Sequence, residues 1–313
     1  RPNVLFMIAD DHRFSGMGHV GREAVQTPTL DALAARGTAF SKAYIMGGLS
    51  GAVCIPSRTS VHTGASVFRA AGDVDDIASP RNYGRLNEGF STLAGTFREA
   101  GYHTFATGKW HNDKKSFADG FCSGANIFLG GMSDHLAVPL HDFDPTGEYP
   151  QNAQYTGEGF STNLFTDAAI DFLDGHDTDD PFFLYLAFTS PHDPRMAPDE
   201  YAAMYDPADV ELPPNFMEEH PFDNGEMRIR DEDLAAYPRT EEEVRQHIAD
   251  YYAMITHQDA HIARVLDALD RNGHGQDTII VYTADHGLGG GQHGLLGKQN
   301  VYEQSMKSPL ILR

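Results

Sequence analysis

Four short apolar runs each end on polar residues able to ligate, protonate or neutralise a ligand, and this repetition constrains the fold more than any other feature. Val4 to Ala9 runs into Asp10-Asp11, and His103 to Thr107 into Lys109 and His111. Phe182 to Phe188 runs into His192-Asp193, and Thr278 to Thr283 into Asp285-His286. Runs this short suit buried strands, and the helical patterns between them predict an α/β architecture with a mainly parallel sheet. In such sheets ligands bind beyond the carboxyl ends of the strands. All four polar clusters are therefore expected to meet on one edge.

The segments between the runs fill in the helices. Thr27-Pro28-Thr29-Leu30 carries a cap and an early proline, Leu30, Leu33 and Ala34 form an apolar stripe, and Gly37 stops the helix. Ser91 to Ala100 reads the same way. The longest pattern opens on a Thr240/Glu243 capping box and runs through Tyr251, Ile255, Ile262, Val265 and Leu269 to Gly273, with a kink or split allowed. Pro309 to Leu312 reads as a last strand. From Asp113 to Gly159 and from Pro194 to Pro238 periodicity fades, and long cleft-shaping loops are expected.

Bulk properties exclude some classes. The chain has 313 residues, 41% of them hydrophobic, and this supports a sizeable core. No apolar run approaches the roughly 20 residues a membrane helix needs. A formal net charge of −22 argues against a nucleic-acid surface. If the ligand is an anion, some of the 23 Lys and Arg residues must gather at the site. Two cysteines, Cys54 and Cys122, are too few for a disulfide framework. They suit one bridge, two buried thiols or one reactive site equally.

Adjacent acidic side chains at a strand end repel unless a cation separates them, so Asp10 and Asp11 are candidate metal ligands. Asp285 adds a carboxylate and His286 an imidazole nitrogen, which makes the metal less certain than an all-oxygen set would. Cys54-Ile55-Pro56-Ser57-Arg58 places Pro56 in a helix's first turn, Cys54 at its N-terminus and Arg58 one turn on along the same face. A group at that end feels the helix dipole and free backbone N–H donors. The residues alone suit an activated thiol or a buried structural cysteine equally. Lys109 and Lys298, taken singly, read as surface lysines, His192 as a turn residue, and Trp110 as packing beside Lys109.

Cys54-x-Pro56-Ser57-Arg58 followed by Thr63-Gly64 resembles the signature of the formylglycine-dependent type I sulfatases, in the alkaline phosphatase superfamily. Further blocks match in family order: Arg1-Pro2-Asn3-Val4-Leu5 leading into Asp10-Asp11, Thr27-Pro28-Thr29-Leu30-Asp31, Thr107-Gly108-Lys109-Trp110-His111, Ser190-Pro191-His192, Thr283-Ala284-Asp285-His286-Gly287 and Gly297-Lys298. The resemblance spans nearly the whole chain. It implies the alkaline-phosphatase-like fold, a sulfatase catalytic domain over 1–313, and a smaller C-terminal domain that this chain lacks or carries truncated.

The resemblance also implies the chemistry. Cys54 is converted to 3-oxoalanine (formylglycine) by a formylglycine-generating enzyme or equivalent, and the aldehyde hydrate supplies the hydroxyl that attacks sulfur. Asp10, Asp11, Asp285, His286 and modified Cys54 surround one Ca²⁺, with Mg²⁺ or Mn²⁺ as alternatives, and His286 stands where many members have Asn. Arg58 holds the hydrate. Lys109, His111, His192 and Lys298 surround the sulfate, with His192 or Lys298 protonating the leaving oxygen and His111 taking the hydrate proton. The substrate is a sulfated small molecule or saccharide, and a periplasmic or extracellular location follows from family habit. A phosphate or phosphonate monoester hydrolase on the same scaffold, or a binding protein with unmodified Cys54, are the other readings.

Overall fold

The computed structural model describes residues 1–47, 53–71, 85–87 and 89–313. Seven strands form one sheet: β1 Asn3–Ala9, β2 Thr38–Ala39, β3 His103–Lys109, β4 Ser123–Phe128, β5 Phe182–Ala187, β6 Thr278–Ala284 and β7 Leu310–Leu312. Their spatial order is β2-β7-β6-β1-β5-β3-β4. β6, β1, β5, β3 and β4 run parallel, and β7 joins β6 and β2 in antiparallel pairs. This is the mainly parallel sheet the apolar runs predict.

The pleat sends alternate residues to opposite faces. Leu5, Met7 and Ala9 of β1 and Phe182, Leu184 and Leu186 of β5 face one core. There they meet α1 (Pro28–Arg36), α5 (Ser161–Gly175) and the C-terminal half of α6 (Glu241–Arg271). Val4 and Ile8 with Phe183, Tyr185 and Ala187 face the other core, against α3 (Leu93–Glu99) and α4 (Lys114–Gly120). Helices on both faces leave β1 and β5 buried on both sides, so these strands read as continuous apolar runs rather than alternating ones.

Helix α6 is unbroken. Thr240 caps it by accepting the N–H of Glu243 at 3.2 Å. Ile262, Val265 and Leu269 lie in the sheet core, whereas Val244, Ile248, Tyr251, Tyr252 and Ile255 anchor a second cluster with Tyr205, Val210 and Leu296. Each such side chain taken from water contributes about 1.5–3 kcal/mol. The helix therefore ties the sheet to the loops above it.

Two expectations change and one holds. The stretch after Asp113 is not all loop, since α4 begins on the Asp113 cap and β4 extends the sheet beyond β3. The β4 residues Ser123, Gly124, Ala125 and Asn126 form a half-buried edge with weak strand propensity, so they carry no periodic signal. The helix predicted over Ser91–Ala100 is shorter, with Thr92 as its cap, because the Thr92 Oγ accepts the Gly95 N–H at 3.0 Å. The stretch 194–238 holds only single turns of helix and is otherwise the long loop expected.

Candidate active site

Asp10, Asp11, Cys54, Arg58, Lys109, His192, Asp285, His286 and Lys298 come together beyond the carboxyl ends of β1, β3, β5 and β6, whereas Cys122 is exposed elsewhere. Asp10 and Asp11 follow β1, and Asp11 takes the left-handed conformation (φ 67°), so two consecutive carboxylates turn into the same site. A non-glycine residue held there is strained, and its surroundings must hold it. Tyr251 of α6 helps by donating to the Asp11 carbonyl at 2.7 Å while accepting the Arg13 N–H at 2.9 Å. Asp285 follows β6, where its N–H donates to the Ala9 carbonyl and one carboxylate oxygen accepts the Asp11 N–H at 3.2 Å.

Cys54 opens α2 (Cys54–Thr63), which Gly64 closes with a left-handed φ of 63°. The thiol is buried, with Sγ 3.1 Å from His286 Nε2 and 3.5 Å from Lys298 Nζ. Both cysteines are free, Cys54 buried and Cys122 exposed, so no bridge ties up the candidate nucleophile. Burial pushes the Cys54 thiol up, but Lys109, Lys298 and His286 together hold it well below the usual range. Arg58, one turn on, donates through Nε to Asp285 at 2.9 Å and through Nη1 to the Lys109 carbonyl at 2.9 Å. Ser57 adds a 2.5 Å bond to the Asp285 carbonyl. Arg58 thus clamps the ends of β3 and β6 to the start of α2.

Both lysines are buried in the site. Lys109 pairs with Asp10, and Lys298 Nζ lies 2.7 and 3.0 Å from the two oxygens of Asp11. Gly108, at φ 93°, turns Lys109 inward: its register with β4 slips at that point, and a Cβ would overlap the Ala187 carbonyl. His111 is also left-handed (φ 59°), and a Cβ on Gly131 would meet its ring at 2.5 Å. His192 Nε2 lies 3.9 Å from Asp11, and its Nδ1 lies 2.8 Å from the Asp193 carbonyl.

The donor set fits a divalent cation. Ligand atoms of Asp10, Cys54, Asp285 and His286 all lie within 4.8 Å of one another, a span compatible with one ion at oxygen distances of about 2.3–2.6 Å. Asp10 Oδ1 is buried without a hydrogen-bond donor. Burial and the Asp10 charge push Asp285 up to about 7, whereas burial on Asp10 is overcome by Lys109, which holds that carboxyl low. Burial disfavours a charged His286, but Asp285, Cys54 and Asp11 hold its pKa up at about 10. The carboxylates therefore call for positive charge at their common centre. Asp11 groups with Cys54 and His192 as a second set.

A family model described as Sulfatase matches residues 2–313. The chain belongs to the sulfatase family. Among relatives of this sulfatase-family chain, an N-acetylglucosamine-6-O-sulfatase of Bacteroides thetaiotaomicron is 28% identical over 370 residues, covering 100% of the chain and 63% of the relative. The chain thus spans less than two thirds of that protein's length. A solved structure in complex with its substrate D-glucosamine-2-N,6-O-disulfate superposes with a TM-score of 0.78 at 25% identity, covering 100% of the chain and 71% of the other. A phosphonate monoester hydrolase of Agrobacterium radiobacter shares the fold at 22% identity and a TM-score of 0.73, covering 100% and 68%. The alkaline-phosphatase-like α/β fold stands on these and on the sheet itself.

Several side chains that hold the candidate site carry no sequence motif. Glu232 is buried and accepts the N–H groups of Leu296 and Gly297 at 2.9 and 2.8 Å, fixing the turn before Lys298. Arg239 holds Glu232 at 2.6 Å. His135 Nε2 lies 2.9 Å from the His192 carbonyl, and its Nδ1 lies 2.8 Å from Ser161 Oγ. Only Asp193, beside His192, could have been suspected. The others lie far away in sequence, inside non-periodic loops. Trp110 is packing, stacked on His62 with ring centroids 4.0 Å apart. Among the described residues no helix is long and apolar enough to cross a membrane.

Proposed function

We propose that the chain hydrolyses sulfate esters of a carbohydrate, with Cys54 oxidised to formylglycine and one divalent cation, Ca²⁺, held by Asp10, Asp11, Asp285, His286 and the modified Cys54. The observation that carries this reading is the convergence of Cys54, at a helix N-terminus, with two carboxylate strand ends and two buried lysines. A structural cysteine needs no such company. The oxidised side chain supplies a hydroxyl nucleophile where a thiol stands here, and the cation supplies positive charge toward the sulfate oxygens.

The chain's own residues do the rest. Arg58, locked by Asp285, orients the side chain at position 54. Lys298 and Lys109 face the sulfuryl oxygens and stabilise charge that grows in the transition state. Burial opposes a charged His192, but Asp11 wins and holds its pKa raised, so Nε2 carries a proton to deliver to the departing oxygen. His111, whose pKa burial and the Lys109 charge lower, stays neutral and takes a proton at position 54. Maturation by a formylglycine-generating enzyme and a location in the periplasm or outside the cell accompany this reading. The sulfated-glucosamine relatives support the choice of a sugar.

Turnover of 4-nitrophenyl sulfate, 4-nitrophenyl phosphate and a phenylphosphonate ester by the same preparation tests the reaction class. Sulfate ester hydrolysis should dominate. Preference for either phosphorus ester would move the chain to the phosphoryl-type reading, and turnover of none would leave a binding protein.

A further inference from the structure

Arg230 lies in the irregular stretch between Pro194 and Pro238, in no motif of the sequence. Its Nη1 donates to Asp193 Oδ2 at 2.5 Å and its Nη2 to Asp231. Asp193 Oδ1 in turn lies 3.3 Å from His192 Nδ1. Asp231 also accepts from the Gln299 amide, whose oxygen accepts the Lys298 N–H at 3.2 Å. One guanidinium thus closes a polar chain between the loop of His192 and the loop of Lys298.

Its exposure is unlike that of its partners. The Arg230 side chain is 45% exposed, against 9% for Asp193 and 8% for Asp231. The carboxylates hold the two Nη groups of the guanidinium, and almost half of the side chain stays open to solvent. Met132, itself 49% exposed, places its sulfur 2.8 Å from Nη1. Met132 directly follows Gly131, the residue packed on His111. Arg230 and Met132 therefore stand immediately outside the histidines and lysine assigned to the ester.

Charge decides what this rim takes. One guanidinium between two carboxylates has its positive charge already paired, within a chain of formal charge −22, and offers little to a further anionic substituent. A neutral ring bearing hydroxyls suits it, because hydroxyls accept from the guanidinium and donate to carboxylates, while ring C–H groups lie on the thioether. We propose that Arg230 is a specificity-determining residue that binds the uncharged, hydroxylated pyranose carrying the scissile sulfate, with Asp193 and Asp231 holding it in place. The inference rests on the sulfate-ester reading above.

The test compares wild type, Arg230→Ala and Arg230→Lys on 4-nitrophenyl sulfate and on the 6-sulfates of N-acetylglucosamine, glucose and galactose. For the best sugar, the ratio of its kcat/KM to that of the aryl ester should fall about ten-fold or more in Arg230→Ala, chiefly through KM, since the sugar loses a charged hydrogen-bond donor that the aryl ester does not use. Arg230→Lys should fall between, because an ammonium keeps the charge and loses the fork. Should thermal melts show Arg230→Ala misfolded, the same ratio in Arg230→Lys decides. An unchanged ratio, with both substrates slowed equally, would make Arg230 structural and overturn this inference alone. Wild type that cleaves the aryl ester and no sugar overturns it together with the choice of a sugar. Wild type that cleaves no sulfate ester overturns the parent reading, and this inference with it.

Discussion

The floor of the site and its rim are built on different principles. On the floor, Asp10, Lys109, His192 and Asp285 emerge from the ends of four adjacent parallel strands, and Cys54 and Arg58 from the first turns of α2. Asp10, Arg58, Lys109 and Asp285 have no exposed side-chain surface. Ladder hydrogen bonds and two apolar cores position these groups, so their geometry is stiff. The rim comes from loop residues 193–239, tied to the loop 292–300 that sends Lys298 down to the floor by Glu232, Arg239, Arg230 and Gln299 through side-chain contacts. The contrast separates chemistry from recognition. A rigid floor suits a fixed reaction, and a rim built from polar side chains can change with the substrate.

The strongest way to break this contrast is at position 54. Cys54→Ala should fold, with a melting temperature near wild type, and lose turnover by about 10⁴-fold or more, as nucleophile removal does. A variant keeping a few per cent of activity would remove covalent catalysis from the floor. Next in size is Asp10→Asn, which leaves Lys109 buried without its partner. Breaking such a pair costs about 3–5 kcal/mol, so the melting temperature should drop together with metal content measured on the purified protein.

At the rim, Glu232→Ala removes the acceptor of two backbone N–H groups and leaves the buried Arg239 charge with backbone carbonyls but no carboxylate. The loss should be about 3 kcal/mol in stability, read by chemical denaturation, with Glu232→Gln intermediate because it still accepts. If kcat fell while stability held, Glu232 would belong with the chemistry and the boundary drawn here would move.

Acid sharpens the comparison from below. His62, in the last turn of α2, is stacked on Trp110, and burial together with nearby Arg58 lowers its pKa to about 3. Above about pH 6.5 it is neutral in both folded and unfolded chains. As pH falls, the unfolded chain takes up a proton that the fold refuses, so stability drops from pH 6.5 toward 3. By pH 5 the loss from His62 is about 2 kcal/mol. Thermal melts at pH 7.5 and 5 should show the fall, and His62→Phe should lessen it. A pH-independent melting temperature would contradict the burial argument. The smallest effect is expected at exposed Cys122, where Cys122→Ser should stay within about 0.5 kcal/mol of wild type and leave activity unchanged.

The floor was legible in the sequence for the same reason that it is rigid. Asp10, Lys109, His192 and Asp285 directly follow apolar runs, and a parallel sheet places such residues on one edge. Cys54 was legible through Pro56 and the helix start, although only the family blocks favoured a reactive thiol over a structural one. β4 was lost because Ser123 to Asn126 is a half-buried edge without alternating apolar residues. The rim was not legible. Arg230 is separated by 37 positions from Asp193, and Gln299 by 68 from Asp231. Such pairs form only once the loops fold back over the sheet, and no local pattern marks them.

The central claim, that an oxidised Cys54 carries the reaction, is tested most directly by the mass of the peptide containing residue 54 in preparations of graded activity. The aldehyde form should replace the thiol in a fraction that rises in proportion to sulfatase activity and reaches zero when the maturation enzyme is absent. A fully active preparation whose Cys54 is entirely an alkylatable thiol would contradict it.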